Sequence, residues 1–129
     1  MSVPAKRFVQ PPSQAAIPFW EATKEQRLEL QWCLDCEQPV HFPREACPRC
    51  LGTRFEWRPA SGDGEVYSVV VEHRAEEPYA VALVDLPEGV RVLSNVVGVP
   101  ATDVRVGMPV KVTWEALDDG RHLPLFEPK

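Results

Sequence analysis

Apolar and polar positions along this chain change rhythm near Pro59. Before it, the patterned segments are short. Residues 18–27, PFWEATKEQR, predict a short helix: Pro18 is acceptable in a first turn and Glu21 suits the positive N-terminal end. Phe19, Trp20 and Thr23 fall near one face of it. Two or three turns are too few to stand alone, so that face covers a core or meets a partner. Residues 28–32, LELQW, alternate, and predict a strand running into Cys33. PVHF at 39–42 suits a returning strand, and Phe55-Glu56-Trp57 is a further short alternating piece.

After Pro59 the texture becomes repetitive. Ser61-Gly62-Asp63-Gly64 is a turn or linker. Five β-like runs follow: Glu65–Arg74, Tyr79–Leu86, Val90–Val99, Val110–Leu117 and His122–Phe126. Pro87-Glu88-Gly89, Gly107-Met108-Pro109 and Asp118-Asp119-Gly120 separate them. Closely spaced strands with no room for a long helix predict a small closed barrel. A five-stranded OB-fold fits best, its usual helix between strands 3 and 4 reduced to a turn around Thr102–Val106; a small sandwich is the alternative. The predicted class is therefore mostly β. An extended N-terminal arm at 1–17, with Pro4, Pro11 and Pro12, is mobile unless held. A short helix and ribbon of strands follow at 18–59, then the OB-fold at 60–129.

Composition changes this picture in two ways. The chain holds 14 prolines in 129 residues, about twice average usage, which argues against much helix. Charge is uneven: residues 1–58 carry a net +1 and residues 59–129 a net −6, which together make the overall −5. An acidic barrel suits a polyanionic partner poorly. No apolar run approaches the ~20 residues of a membrane span. MSVPAKRFVQPPSQ lacks the apolar core of a secretory signal, so a cytoplasmic, reducing setting is expected.

In that setting four cysteines point to metal before disulfides. Cys33, Cys36, Cys47 and Cys50 form C-x2-C-x10-C-x2-C. Two intervening residues let both sulfurs of a knuckle reach one ion, and ten allow a hairpin that brings the knuckles together. Four thiolates satisfy tetrahedral zinc and leave no open position, so such a site is structural. Arg44, Arg49 and Arg54 lie close enough in sequence to offset its negative charge, and Pro48 favours a rigid turn. Glu37 stands where a knuckle often has glycine, and Gly52 is displaced by one position. A redox dithiol, a rubredoxin-like iron site and two disulfides are the competing readings.

No other constellation carries chemistry. His41, His73 and His122 are scattered, and Asp118-Asp119 reads as a turn. No G-x-S-x-G, phosphate loop or G-x-G-x-x-G occurs, and no nucleophile stands with a base, so no intrinsic catalytic site is expected. A ribbon beside an OB-fold also raises single-stranded nucleic-acid binding. That needs a basic groove, whereas Tyr67, Tyr79, Trp114 and Phe126 lie in an acidic background and suit core or interface.

The order FWEATKEQRLELQWCLDC, PREACPRC, GDGEVYSVVVEHR, PYAVALVDLPEGVRVLSNVVGV, VGMPVKV and LPLFEP resembles the zinc-ribbon/OB-fold family associated with acyl-CoA metabolism, domain-of-unknown-function family 35. The resemblance covers about residues 18–128 and is most specific at the four cysteines, PYAVALVDLPEG and VGMPVKV. It implies a helical segment, a rubredoxin-like zinc ribbon and an OB-fold. It also implies a non-catalytic subunit in a hetero-oligomer with a thiolase-superfamily enzyme. The implied partners are acetoacetyl-CoA thiolase, a lipid-transfer-protein-like thiolase or a steroid side-chain aldolase, with fusion to MaoC-like hydratases as a further context. The LPEGVRVLSNVVGV form leans towards the steroid aldolase or lipid-transfer-protein-like thiolase. Zinc is the implied cofactor. Acyl-CoA contact is an expectation, with the N-terminal arginines and lysines as the groups suited to its phosphates.

Overall fold

The computed structural model describes residues 9–129. Residues 1–8 of the expected arm lie outside the described part. A 3-10 turn at Gln14–Ala16 leads directly into helix α1, Ile17–Thr23, so the last residues of the expected arm are helical. The helix is also shorter at its C-terminal end than 18–27. It closes at Gln26, whose φ is 57°. The N–H of Arg27 donates to Ala22 O and that of Gln26 to Thr23 O, the paired bonds of a left-handed helix cap. Glycine usually occupies such a position, and its absence hid this end in the sequence.

Three strands make the ribbon: β1 (Glu29–Cys33), β2 (Gln38–Val40) and β3 (Phe55–Pro59), in the order β2-β1-β3, all antiparallel. Five more make a closed barrel. They are β4 (Asp63–Glu72), β5 (Tyr79–Asp85), β6 (Arg91–Val96), β7 (Pro109–Ala116) and β8 (His122–Pro128). The barrel order is β4-β5-β6-β8-β7, with β7 returning to β4. The turn expected around Thr102–Val106, in place of the usual helix between the third and fourth barrel strands, is a 3-10 turn at Ala101–Asp103. This is the OB-fold arrangement, not the sandwich.

Strand β4 serves both neighbours, its first residues pairing β7 and the rest β5, and a bulge between Val66 and Ser68 takes up the bend. The seam between β6 and β8 is thin: their ladder pairs only Val96 with Phe126, and the Ser94 hydroxyl donates to Pro124 O at 2.8 Å above it.

Phe19 and Trp20 of α1 pack beside that seam. They share one core with Leu28 and Leu30 of the ribbon side and with Val66, Val84, Val92, Val110 and Phe126 of the barrel. The two rings meet edge to face, centroids 5.1 Å apart. The helix face that the sequence left open between core and partner is thus core. A second, small cluster holds Cys33, Val40 and Cys47. It has too little apolar volume to order the ribbon's far end, which is where a metal becomes useful.

Candidate metal centre and its supports

Strand β1 delivers Cys33, the turn after it Cys36, and the turn after residue 46 delivers Cys47 and Cys50. The four sulfurs lie within 4.8 Å of one another. Cys33 Sγ is 3.6 Å from Cys50 Sγ, and Cys36 Sγ is 3.7 Å from Cys47 Sγ. A tetrahedron with metal–sulfur bonds of ~2.3 Å has sulfur–sulfur edges of about 3.8 Å, so the spacing suits one ion. It does not suit disulfides, whose sulfurs are ~2.05 Å apart, and all four cysteines are free thiols.

Backbone geometry explains the two departures from the usual knuckle. Glu37 and Leu51, each immediately after a second cysteine, both take positive φ, 54° and 63°. This is the conformation for which glycine is common there, adopted here by non-glycine residues. Gly52 is small for a different reason: a Cβ on it would run into the Asp35 carboxylate, which pairs with Arg54 through Nε at 3.0 Å. In the second knuckle the backbone aims at sulfur. Gly52 N–H donates to Cys50 Sγ at 3.4 Å. Burial raises the Cys47 thiol, but hydrogen bonds from the N–H groups of Cys50 and Arg49 and from the Cys36 and Cys50 side chains together bring it down to about 6. Of the three expected arginines, Arg49 donates to Pro39 O at 2.6 Å and Arg54 holds Asp35, so both brace the loops around the cluster. Arg44 contributes through its backbone.

That backbone contact is one the sequence did not reveal. Gln31 is buried in the middle of β1. Its amide donates to Arg44 O and accepts from Arg44 N–H, both at 2.8 Å. The pair of bonds fastens the loop before Cys47 to the strand that carries Cys33. A second unread residue is Arg121, buried at the last barrel turn. It donates to Val9 O at 2.9 Å and Gln10 O at 3.0 Å and pairs with Asp119 at 2.8 Å. A buried glutamine in a strand and a buried arginine after a turn look like ordinary surface residues in one dimension.

The histidines are not gathered. His122 belongs to α1's support: its backbone N–H reaches Thr23 Oγ1 at 3.3 Å and its Nδ1 lies 2.8 Å from Thr23 O. His41 sits between ribbon and barrel, its ring centroid 6.0 Å from that of Phe19 and 5.2 Å from that of Phe42. Burial pushes its pKa down to about 4. With Phe19, Trp20, Phe42, Leu93 and Pro124 it lines a cleft of about 130 Å³ over the β6–β8 seam. Of the four aromatic residues weighed for nucleic acid, Phe126 is core and Trp114 packs on it, while Tyr67 and Tyr79 are exposed. Among the described residues no helix is long and apolar enough to cross a membrane.

Fold and site together define a two-part chain, a four-cysteine zinc ribbon joined through a shared core to an OB-fold barrel. The rubredoxin-like zinc ribbon domain of ChsH2 matches residues 20–56, and the C-terminal OB-fold domain of ChsH2 matches residues 57–115. The chain belongs to this zinc-ribbon/OB-fold family, the DUF35 family. It is 40% identical over 116 residues to a probable enoyl-CoA hydratase alpha subunit of Thermomonospora curvata, covering 85% of this chain and 36% of that one. It is 32% identical over 103 residues to the benzoylsuccinyl-CoA thiolase subunit BbsA of Thauera aromatica, covering 75% and 70%. Among solved structures, a chain of the "Ltp2-ChsH2(DUF35) aldolase" superposes with a TM-score of 0.82 at 36% identity, over 92% of this chain and 98% of that chain. The chain thus spans about a third of the hydratase subunit, but nearly all of the aldolase's chain and most of the thiolase's.

Proposed function

We propose that this chain is a non-catalytic accessory subunit of a thiolase-fold enzyme acting on acyl-CoA, either a side-chain-cleaving aldolase or a thiolase. The observation that carries the reading is the superposition on nearly the whole length of a chain from the "Ltp2-ChsH2(DUF35) aldolase", at 36% identity. The thiolase subunit matched over 70% of its length supports the same assignment. The chain's own chemistry agrees with a supporting role. Its concentrated reactive groups are four thiols whose spacing suits a closed metal site, and His122 is committed to holding α1. The MaoC-like hydratase context remains the second setting, since the hydratase alpha subunit contains a region like this chain.

Within that reading Cys33, Cys36, Cys47 and Cys50 hold one structural zinc ion. Bound zinc supplies folding free energy to a ribbon whose own core is three residues. The chain's work is then to dock on the enzyme, stabilise it and help wall its acyl-CoA channel. Any direct contact with CoA phosphates falls to the N-terminal half, because the barrel half is acidic. Co-expression with a candidate thiolase-fold enzyme of the same organism, followed by gel filtration and activity assay, tests the proposal. The expected result is a co-eluting complex containing one zinc per copy of this chain, and an enzyme less active or less stable without it. Separate elution, with tight binding of single-stranded DNA at 150 mM salt, overturns it.

A further inference from the structure

An antiparallel sheet with one wet face alternates apolar inward and polar outward. In the meander β4-β5-β6, the central strand β5 breaks that rule. Ala80, Ala82 and Val84 of β5 point into the barrel and are buried. The intervening Tyr79, Val81 and Leu83 are on the outer face, where polar residues belong. The register extends this outer set sideways: Val81 pairs with Val70, and Leu83 with Leu93. Tyr67, the bulged residue of β4, joins them. Val70 is 69% exposed and Leu93 71%, with Tyr67 and Tyr79 also exposed.

We infer that the outer face of β4, β5 and β6 is the surface by which this chain docks on a different protein, one whose contact patch is apolar at its centre and cationic at its rim. The inference rests on the proposed function, and names the thiolase-fold enzyme as that protein.

Charge selects the kind of occupant. The face is bordered by Glu65 and Glu72 of β4 and Asp85 of β5, and Glu76 lies in the loop that joins these strands. Two arginines stand among them, and both are engaged within the chain. Arg74 lies 3.3 Å from Glu72, and Arg91 donates to Asp85 at 2.6 Å while covering the Tyr67 ring at 3.4 Å. The border is therefore acidic in sum. A second copy would have to set this border against itself, since a twofold contact apposes the same surface patch, and each copy already carries −5. Nucleic acid and an anionic bilayer are disfavoured by the same sign. A heterologous protein with lysine or arginine around an apolar centre is the complementary partner. An enzyme that binds the phosphates of CoA has reason to carry such cations at its channel mouth.

Size adds where the contact extends. Three strands spaced ~4.8 Å and about six residues long present roughly 300 Å², against the ~800 Å² each partner gives to a stable interface. Leu93 is shared between this face and the cleft over the β6–β8 seam, whose ribbon side is Phe42, 58% exposed. The contact therefore continues from barrel to ribbon across Leu93. A metal that braces the ribbon would then also hold one side of the interface in place.

The test uses the full chain, affinity-tagged in its native host, with the captured enzyme identified by mass spectrometry and then titrated with purified chain. Val70→Asp and Leu93→Asp alter side chains that are largely in solvent, so their folding and metal content should match wild type. Val106→Asp, equally exposed on the turn before β7, is the control. The expected result is a tenfold or greater loss of affinity for each of the first two, none for the control, and wild-type binding that weakens with salt. Wild-type affinity in both face variants overturns the docking surface and leaves the proposed function standing. A homodimer in ultracentrifugation that Val70→Asp abolishes also overturns it, assigning the face to a second copy. Failure of the wild-type chain to capture any thiolase-fold enzyme removes the functional reading itself, and this inference with it.

Discussion

Arg121 lies over the indole of Trp20, its guanidinium carbon 4.9 Å from the ring centroid. The same side chain holds the carbonyls of Val9 and Gln10 on its other nitrogens. One residue thus ties the incoming arm, the helix and the last barrel turn. Its N–H and then its guanidinium also keep the Asp119 carboxyl below its usual range. Arg121→Ala should cost about 2–4 kcal/mol, because it leaves two carbonyls short of partners and uncovers the indole. It should also speed proteolytic cleavage near Pro12. Arg121→Lys should rescue little of this, since an ammonium cannot span both carbonyls and Asp119 as a fork does. Equal melting temperatures for wild type and Arg121→Ala would contradict the clasp.

Gln31→Ala should loosen the metal loop. The change strands the N–H and C=O of Arg44, a cost of about 1–3 kcal/mol. Because that loop leads to Cys47, a chelator should strip the bound metal from the variant at a several-fold lower concentration than from wild type. An unchanged chelator midpoint would show that the cysteines alone define the site.

His41 makes stability depend on acid. Its folded pKa of about 4 lies below the ~6.5 of an unfolded chain, so the unfolded state takes up the proton first. Stability is therefore complete above pH ~6.5 and declines as pH falls towards 4, by about 3 kcal/mol in all. His41→Phe keeps an aromatic ring between Phe19 and Phe42 without the charge. Acid-driven metal loss acts on both proteins alike, so the difference between their stability curves isolates the histidine. Parallel curves from pH 7 to 4 would remove His41 from the account.

Gly64→Ala should destabilise the barrel by about 1–3 kcal/mol. A Cβ there would stand 2.5 Å from Cγ1 of Val84, which is fully buried. Adding Val84→Ala should recover part of the loss, because the two substitutions share one space. Additive losses in the double variant, measured by denaturant melts, would show that the contact is not the cause.

The sequence alone determined the features that depend on neighbours along the chain. The two C-x2-C pairs placed four sulfurs in knuckles because a turn of that length permits little else. Period-two alternation located the eight strands to within a few residues, and the Gly- and Pro-rich breaks between them pointed to a small barrel. The strong order of motifs supported the family. What needed the folded chain were relationships across distance. That Phe19 and Trp20 close the barrel's core depends on where α1 meets β8. That Gln31 and Arg121 are buried depends on Arg44, Val9 and Gln10 arriving beside them. The left-handed residues Gln26, Glu37 and Leu51 carry no glycine to mark them. The run PYAVALVDL was legible as a strand, but only the register with Val70 and Leu93 made its outer half one continuous surface. Local spacing sets which groups can meet; packing decides which of them are covered and which are left facing outward.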